Sequence, residues 1–221
     1  QEVIDAITTN ETHFFRDTST FEALKHKALP ELIDSKAATI FPIRLRVWSA
    51  ACSSGQEAYS IAMTLHELIP DIHQWDVKIL ATDISDKIVA QASRGIYAEH
   101  EVVRGMSRER LERFFVEGPG GWQVRDEIRS LVSFERRNLL EPLAMPGRFD
   151  VVFCRNVAIY FTKEVRSDLF HRIAETMSPV GYLFVGSQES LGDLGKRFTP
   201  MHHCRSTFYR PNLAVETDAT A

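Results

Sequence analysis

RVWSAACSSGQEAYSIAM, residues 46–63, decides how the chain folds. LRVWSA, 45–50, reads as a buried strand, CSSG as a turn of small residues, and the remainder as the start of a helix. That helix continues to about residue 69, with Ala58, Ile61, Ala62, Leu65 and Ile69 recurring at steps of three and four, and Pro70 ends it. The unit is strand, turn, helix. Its turn lacks both G-x-G-x-x-G and G-x-x-x-x-G-K-[ST], so it is neither the dinucleotide fingerprint nor a phosphate-binding loop.

Working outward, the alternation repeats. VKILAT, 77–82, is a second strand followed by Asp83, with Ser85 placed to cap a helix over about 86–93. LVSF, 131–134, and FDVVFC, 149–154, are the third and fourth strands. Thr162 caps a helix over about 163–177 whose apolar face is Val165, Leu169, Ile173 and Met177; YLFVG, 182–186, and STFYR, 206–210, are further strands. Residues 96–130 interrupt the pattern: a helix over 107–115 capped by Ser107, the turn cluster GPGG at 118–121, and WQVRDEIRS, 122–130, as two short antiparallel strands. The expectation is an α/β fold: a doubly wound, mostly parallel sheet with a small antiparallel β-subdomain inserted at about 98–130. Residues 1–35 form a linker and helical leading segment, 36–211 the main domain, and 212–221 a loose tail.

Composition narrows the class. The 221 residues are 44% hydrophobic, enough for one sizeable core. A formal net charge of -4 gives no ground for nucleic-acid binding. Three cysteines, Cys52, Cys154 and Cys204, make no disulfide framework and fit a reducing, cytoplasmic setting. No apolar run is long enough for membrane insertion and no signal peptide is visible. The chain opens on Gln1 rather than Met, so a further upstream segment is expected. His202, His203 and Cys204 alternate in direction along an extended segment and have no spaced partners, so no metal is expected.

In a doubly wound sheet ligands sit at the carboxyl ends of the strands. There the chain places Gly55, whose missing side chain admits close approach; Glu57 in the first helical turn, suited to a ligand ammonium; and Asp83, suited to a ribose diol. Asn138 and Asn156 follow the third and fourth strands and can both donate and accept. Each also has a plain structural alternative, as a helix-end acid or a turn residue. Together they point to an adenosine joined to an amino acid, which describes S-adenosylmethionine.

Longer motifs carry a resemblance. TNETHFFR at 9–16, VWSAACSSGQEAYSIA at 47–62, ATDIS at 81–85, SRGIY at 93–97, FERRNLL at 134–140 and FDVVFCRNVAIYF at 149–161 occur in one order over nearly the whole chain. The chain resembles the catalytic domain of the chemotaxis receptor methyltransferases, S-adenosylmethionine-dependent protein-glutamate O-methyltransferases with a class I methyltransferase sheet. The resemblance implies that Asn10, Thr12 and Arg16 close over the cofactor, with Arg16 reaching the reaction site. It implies that Glu57 meets the methionine amino group, Asp83 the ribose, Asn138 and Leu139 the adenine, and Asn156 and Val157 the methionine end, with Tyr160 near the transferred methyl.

The family commonly has S-T-G-E-E-P-Y after its first strand where this chain has Ser53-Ser54-Gly55-Gln56-Glu57-Ala58-Tyr59, keeping the hydroxyl and the second acid. The family's basic N-terminal helical domain is absent from this sequence. VEGPGGWQV, 116–124, is shorter than in members that capture a C-terminal receptor peptide, so no dependence on that tether is expected. The implied reaction converts receptor glutamates to methyl esters and releases S-adenosylhomocysteine; the implied partner is the cytoplasmic helical region of chemotaxis receptors. The alternative is a non-catalytic S-adenosylmethionine-binding sensor or signalling-array module.

Overall fold

The structure is a computed structural model and describes residues 11–36 and 42–212. Asn10 and all but Asn212 of the expected tail lie outside the described residues. The leading segment enters through helix α1 (Thr18–Ala23), a π-helical turn (Leu24–Ala28) and helix α2 (Leu29–Lys36). Strand β1 (Arg44–Ala50), helix α3 (Gln56–Leu68), strand β2 (Asp76–Asp83) and helix α4 (Asp86–Arg94) follow the expected alternation. The interrupting segment holds β3 (Ile96–Tyr97), α5 (Glu99–Val103), α6 (Arg108–Phe114), β4 (Phe115–Gly118), β5 (Gly121–Val124) and α7 (Asp126–Arg129). The main sheet resumes with β6 (Val132–Arg136), β7 (Phe149–Cys154), α8 (Lys163–Glu175), β8 (Met177–Phe184), β9 (Phe198–His203) and β10 (Ser206–Pro211).

The seven-stranded sheet runs β6-β2-β1-β7-β8-β10-β9. The pairs from β6 to β8 are parallel, and β10 is antiparallel to both β8 and β9. This is the doubly wound class I methyltransferase architecture expected, with the three-stranded antiparallel sheet β3-β5-β4 beside it. Chain direction across the sheet reverses between β1 and β7, so a cleft opens at their carboxyl ends. The three hydroxyl caps read from sequence all form: Ser85 accepts from the Ile88 amide, Ser107 from Arg110 and Thr162 from Val165.

Elements that differ from expectation include two with a plain physical cause. WQVRDEIRS gives one strand and then helix α7, because Val124 turns into the subdomain core while Asp126 and Glu127 sit in a first helical turn, where acids are favourable. β8 begins at Met177, not 182, since Met177 pairs with Phe149 before a bulge lets Tyr182 pair with Val151.

The sheet separates two cores. Leu45 and Val47 of β1 face α1, α2, α3 and the small subdomain; Trp48 and Ala50 face α8. Trp48 is fully buried and donates its indole N–H to Thr82 Oγ1 at 2.9 Å. On the first face the rings of Phe153, Phe184 and Phe208 stack at 4.8 and 5.1 Å, and Phe21 lies over Phe153 at 6.0 Å. Phe14 meets Tyr97 and Phe115 edge-on at 5.0 and 5.5 Å, so the leading segment is wedged between sheet and subdomain.

That wedge needs Gly105. Its φ is +87°, and a Cβ there would lie 2.0 Å from the Phe14 carbonyl oxygen. Gly105→Ala is expected to destabilise the fold by about 2 kcal/mol or more, strain and overpacking together. Gly195→Ala, at φ +60° with nothing within 4 Å, should cost only the backbone part, about 1 kcal/mol. Urea unfolding of the two variants measures the difference.

Candidate active site

The turn after β1 departs from ordinary backbone three times in five residues. Ala51, Ser53 and Gly55 all have left-handed φ, at 59°, 50° and 94°. For the two non-glycine residues this costs about 1–2 kcal/mol each and persists only where surroundings enforce it. The enforcement is visible: the Cys52 amide donates to Thr82 O at 2.9 Å, the Ser53 amide to Asp83 Oδ2 at 2.9 Å, and the Gly55 amide to Cys52 O at 3.1 Å. Asp83 Oδ1 also accepts from the Ser85 amide at 3.2 Å. The Asp83 carboxylate is thus clamped between two backbone amides, and each oxygen keeps acceptor capacity for a diol.

Gly55 does not line the cleft. A Cβ on it would lie 3.0 Å from both Ala92 Cβ and Tyr97 Oη, and Tyr97 donates to Ser54 O at 2.8 Å. Its missing side chain lets the turn close against α4 and the subdomain.

Glu57 is not free to wait for an ammonium. Its Oε1 accepts from Ser49 Oγ at 2.7 Å and its Oε2 from Arg155 Nη1 at 3.0 Å. Arg155, its side chain 2% exposed, also donates through Nη2 to Asp17 Oδ2 at 2.5 Å and to Arg16 O at 3.0 Å. Two carboxylates share one guanidinium, leaving this cluster with a formal charge of minus one, and a ligand ammonium would bring it to neutrality. Neither Arg155 nor Asp17 was picked out from sequence. The available signal was an arginine directly after the buried strand FDVVFC.

The other expected residues converge. Thr12, Arg16, Glu57, Asp83, Asn138, Leu139, Asn156, Val157 and Tyr160 all line one cleft of about 370 Å³, within the range of small-molecule sites. Asn138 is engaged in its own turn: Oδ1 accepts from the Leu140 amide at 3.0 Å and Nδ2 donates to Glu141 at 3.2 Å. Arg172 anchors that turn by donating to Leu139 O at 3.0 Å and Glu141 O at 2.7 Å. Asn156 is left-handed, φ 57°, and its amide donates to Glu189 Oε2 at 2.8 Å. Tyr160, 64% exposed, stands at the mouth with Ile159 and Leu140, at 56% and 52%.

Two thiols and one imidazole at or beside the cleft are poorly suited to take part in chemistry. Burial, with the charges of Asp83 and Glu57, pushes the Cys52 thiol well up, and burial with Glu189 and Glu57 does the same for Cys154. Both stay protonated and are not nucleophiles. Burial, reinforced by Arg104 and Arg16, pushes His13 below the ordinary imidazole value, so it is neutral near pH 7 and a weakened base. Among the described residues no cluster of three or more His, Cys, Asp or Glu is placed to hold a metal ion.

A doubly wound sheet with a clamped acid after β2, an acidic cluster after β1 and an apolar wall at Leu139 and Ile84 defines the cofactor domain of an S-adenosylmethionine-dependent methyltransferase. Comparison with known proteins agrees. The family described as CheR methyltransferase, SAM binding domain, matches residues 10–206. Chemotaxis protein methyltransferase 1 of Pseudomonas aeruginosa is 47% identical over 212 residues, 94% of this chain and 76% of that protein. Chemotaxis protein methyltransferase Cher2 of Pseudomonas putida is 48% identical over 198 residues, 88% of this chain and 70% of that protein. The chemotaxis protein methyltransferase of Vibrio parahaemolyticus is 43% identical over 203 residues, 88% of this chain and 70% of that protein. The chain belongs to the CheR methyltransferase family and is a methyltransferase that uses S-adenosylmethionine.

The acidic cluster gives a direct test. Arg155→Met leaves Glu57 and Asp17 facing each other without their shared cation, and is expected to lower the unfolding free energy by about 3 kcal/mol. Asp17→Asn, which keeps Arg155 paired to Glu57, should cost about 1 kcal/mol. Denaturant melts of both variants distinguish a shared buried cation from two independent surface pairs.

Proposed function

We propose that this chain methylates glutamate side chains of chemotaxis receptors in the cytoplasm, forming methyl esters and S-adenosylhomocysteine. The observation that carries the acceptor assignment is Arg16. It lines the same cleft as Tyr160, its guanidinium donates to the Glu11 backbone carbonyl, and it forms no ion pair among the described residues. A cation lining the cleft, hydrogen-bonded to a neutral carbonyl with the Glu11 carboxylate nearby, fits an anionic acceptor.

S-adenosylmethionine, when bound, supplies an electrophilic methyl carbon on a positively charged sulfur. The residues present fit it: the acidic cluster around Arg155 for its ammonium, Asp83 for the ribose, Asn138 and Leu139 beside the adenine, and Asn156 and Val157 at the methionine end. Asn10 and Thr12 belong to the same proposed closure, with Asn10 outside the described residues. A glutamate carboxylate has an ordinary pKa of about 4.3 and is ionised near neutrality, so no general base is required. An amine acceptor would need one, and His13, with its lowered pKa, is poorly suited. The chain's own work is orientation: Arg16 holds one carboxylate oxygen, Tyr160 shapes the approach, and the leading segment covers the cleft. Arg16 must hold the acceptor loosely, because the carboxylate loses its charge in the transition state.

The partner reading is the helical cytoplasmic part of the receptor, reached through the exposed apolar rim of Leu140, Ile159 and Tyr160. The β4–β5 hairpin closes with Gly118 paired to Gly121, a two-residue turn that supports independence from a receptor tail peptide. No described helix is long and apolar enough to cross a membrane.

The decisive experiment is transfer of labelled methyl from S-adenosylmethionine to receptor cytoplasmic fragments with and without the tail peptide. Alkali-labile label at similar rates on both is expected; alkali-stable label would overturn the ester assignment. Arg16→Ala should lower turnover about 100-fold or more while changing S-adenosylhomocysteine affinity less than about threefold. Equal loss of both would remove Arg16 from the acceptor side.

A further inference from the structure

Asn156, read above as meeting the methionine end, is held by the loop after β8, which contributes nothing to the cleft itself. Asn156 follows Arg155 in left-handed conformation, φ 57°, and leads into the 3-10 turn Ala158–Tyr160 that carries the rim. Its backbone N–H donates to Glu189 Oε2 at 2.8 Å. The same oxygen accepts from the Gly186 amide at 2.7 Å, and the Glu189 amide closes the loop by donating to Gly186 O at 2.9 Å. Glu189 is 8% exposed, and its other oxygen, Oε1, is buried with no hydrogen-bond partner among the described residues. One carboxylate therefore ties together the ends of two neighbouring strands, β7 and β8.

Glu189 is not a wall of the cleft. It lines a separate groove behind the 3-10 turn, with Ile159 and Phe161 common to both. Gly186 completes the arrangement: a Cβ on it would lie 2.7 Å from Asn156 Nδ2 and 2.7 Å from Glu189 Oε2. Any larger residue would press on the side-chain ends of both Asn156 and Glu189. On the other side of Asn156, Arg155 is fixed by Glu57 and Asp17. The turn is thus gripped at consecutive residues, by side chains from opposite directions.

We propose that Glu189 is a positioning residue for the cofactor site: by accepting the Asn156 amide it fixes the turn that presents Asn156 and Val157 to the amino-acid end of S-adenosylmethionine. This rests on the reading that those two residues face the cofactor. Under it, Glu189 acts as a hydrogen-bond acceptor, so an amide of the same shape should largely replace it, and its loss should act on cofactor affinity ahead of the chemical step.

The test is calorimetric titration of S-adenosylhomocysteine into the purified chain and its variants below their melting temperatures, with KM and kcat on receptor fragments. Glu189→Ala is expected to raise the dissociation constant and the KM for S-adenosylmethionine about tenfold or more, with kcat at saturation within about threefold. Glu189→Gln should recover affinity to within about threefold of the parent. Gly186→Ala, which crowds both the Asn156 side-chain amide and the Glu189 carboxylate, should weaken binding in the same direction, and gives a second reading if Glu189→Ala does not fold. Asn156→Ala separates the two levels of inference. If it weakens binding while Glu189→Ala and Gly186→Ala only lower the melting temperature, Glu189 is a structural tie and the proposal is overturned. If Asn156→Ala leaves affinity unchanged, the assignment of Asn156 to the cofactor is itself wrong and the proposal falls with it.

Discussion

One buried guanidinium holds the working parts of this domain in register. Arg155 lies at the end of β7, and its partners Glu57 and Asp17 are 98 and 138 residues away in sequence. Through them it joins the strand-end turn, the first turn of α3 and the leading segment at a single point. Burying a charge this completely is unfavourable unless it is paired, and here both terminal nitrogens are engaged by carboxylates and a backbone carbonyl, while Nε is buried without a partner among the described residues. Such a pair adds little net stability over an apolar replacement. What it adds is specificity: it fixes where the leading segment lies over the sheet, and it leaves one negative charge in excess at the edge of the cleft.

The leading segment is therefore ordered by the same groups that would receive the cofactor. Phe15 shows how. Its amide donates to Ser60 Oγ at 2.9 Å, which donates in turn to Gln56 O at 2.6 Å inside α3, while Arg110 of the small subdomain lies 4.0 Å above its ring. Phe14 and Phe21 on either side pack into the subdomain and the sheet. Phe15 and Asp17 both adopt left-handed φ, at 51° and 59°, so this cover is bent rather than helical where it crosses the cleft. The strain of that bend is offset by apolar burial at Phe14, Phe15 and Phe21, each under 5% exposed.

The sequence made some of this legible and hid the rest for identifiable reasons. FDVVFC was read to its true limits because all six residues are buried, so pattern and packing agree. β9 was missed: FTPMHH has a proline, two histidines and mostly exposed positions, as an edge strand allows, and only pairing with β10 makes it a strand. The start of β8 was hidden by Pro179 and Gly181, which look like a turn but are bridged by a bulge. At the site, Glu57, Asp83, Asn138 and Asn156 could be named because doubly wound sheets put ligands at strand ends, a topological rule that sequence order alone can invoke. Asp17, Arg155 and Glu189 could not, since their importance lies in contacts across 33 to 138 residues that no local pattern encodes.

Two arginines show what the architecture selects for. Arg155 is paired to two carboxylates that fix its position, and its charge is committed to them. Arg16 comes one residue before Asp17, and its carbonyl is held by Arg155, yet its own guanidinium donates to a backbone carbonyl and forms no ion pair among the described residues. The buried cation thus holds the backbone from which the half-buried one projects. Under the proposed carboxyl methylation, where the acceptor arrives as an anion and leaves as a neutral ester, such a division is useful: a rigid charge that shapes the site and takes no part in the reaction, and a second, half-buried charge to orient the anion and release it once the charge is gone.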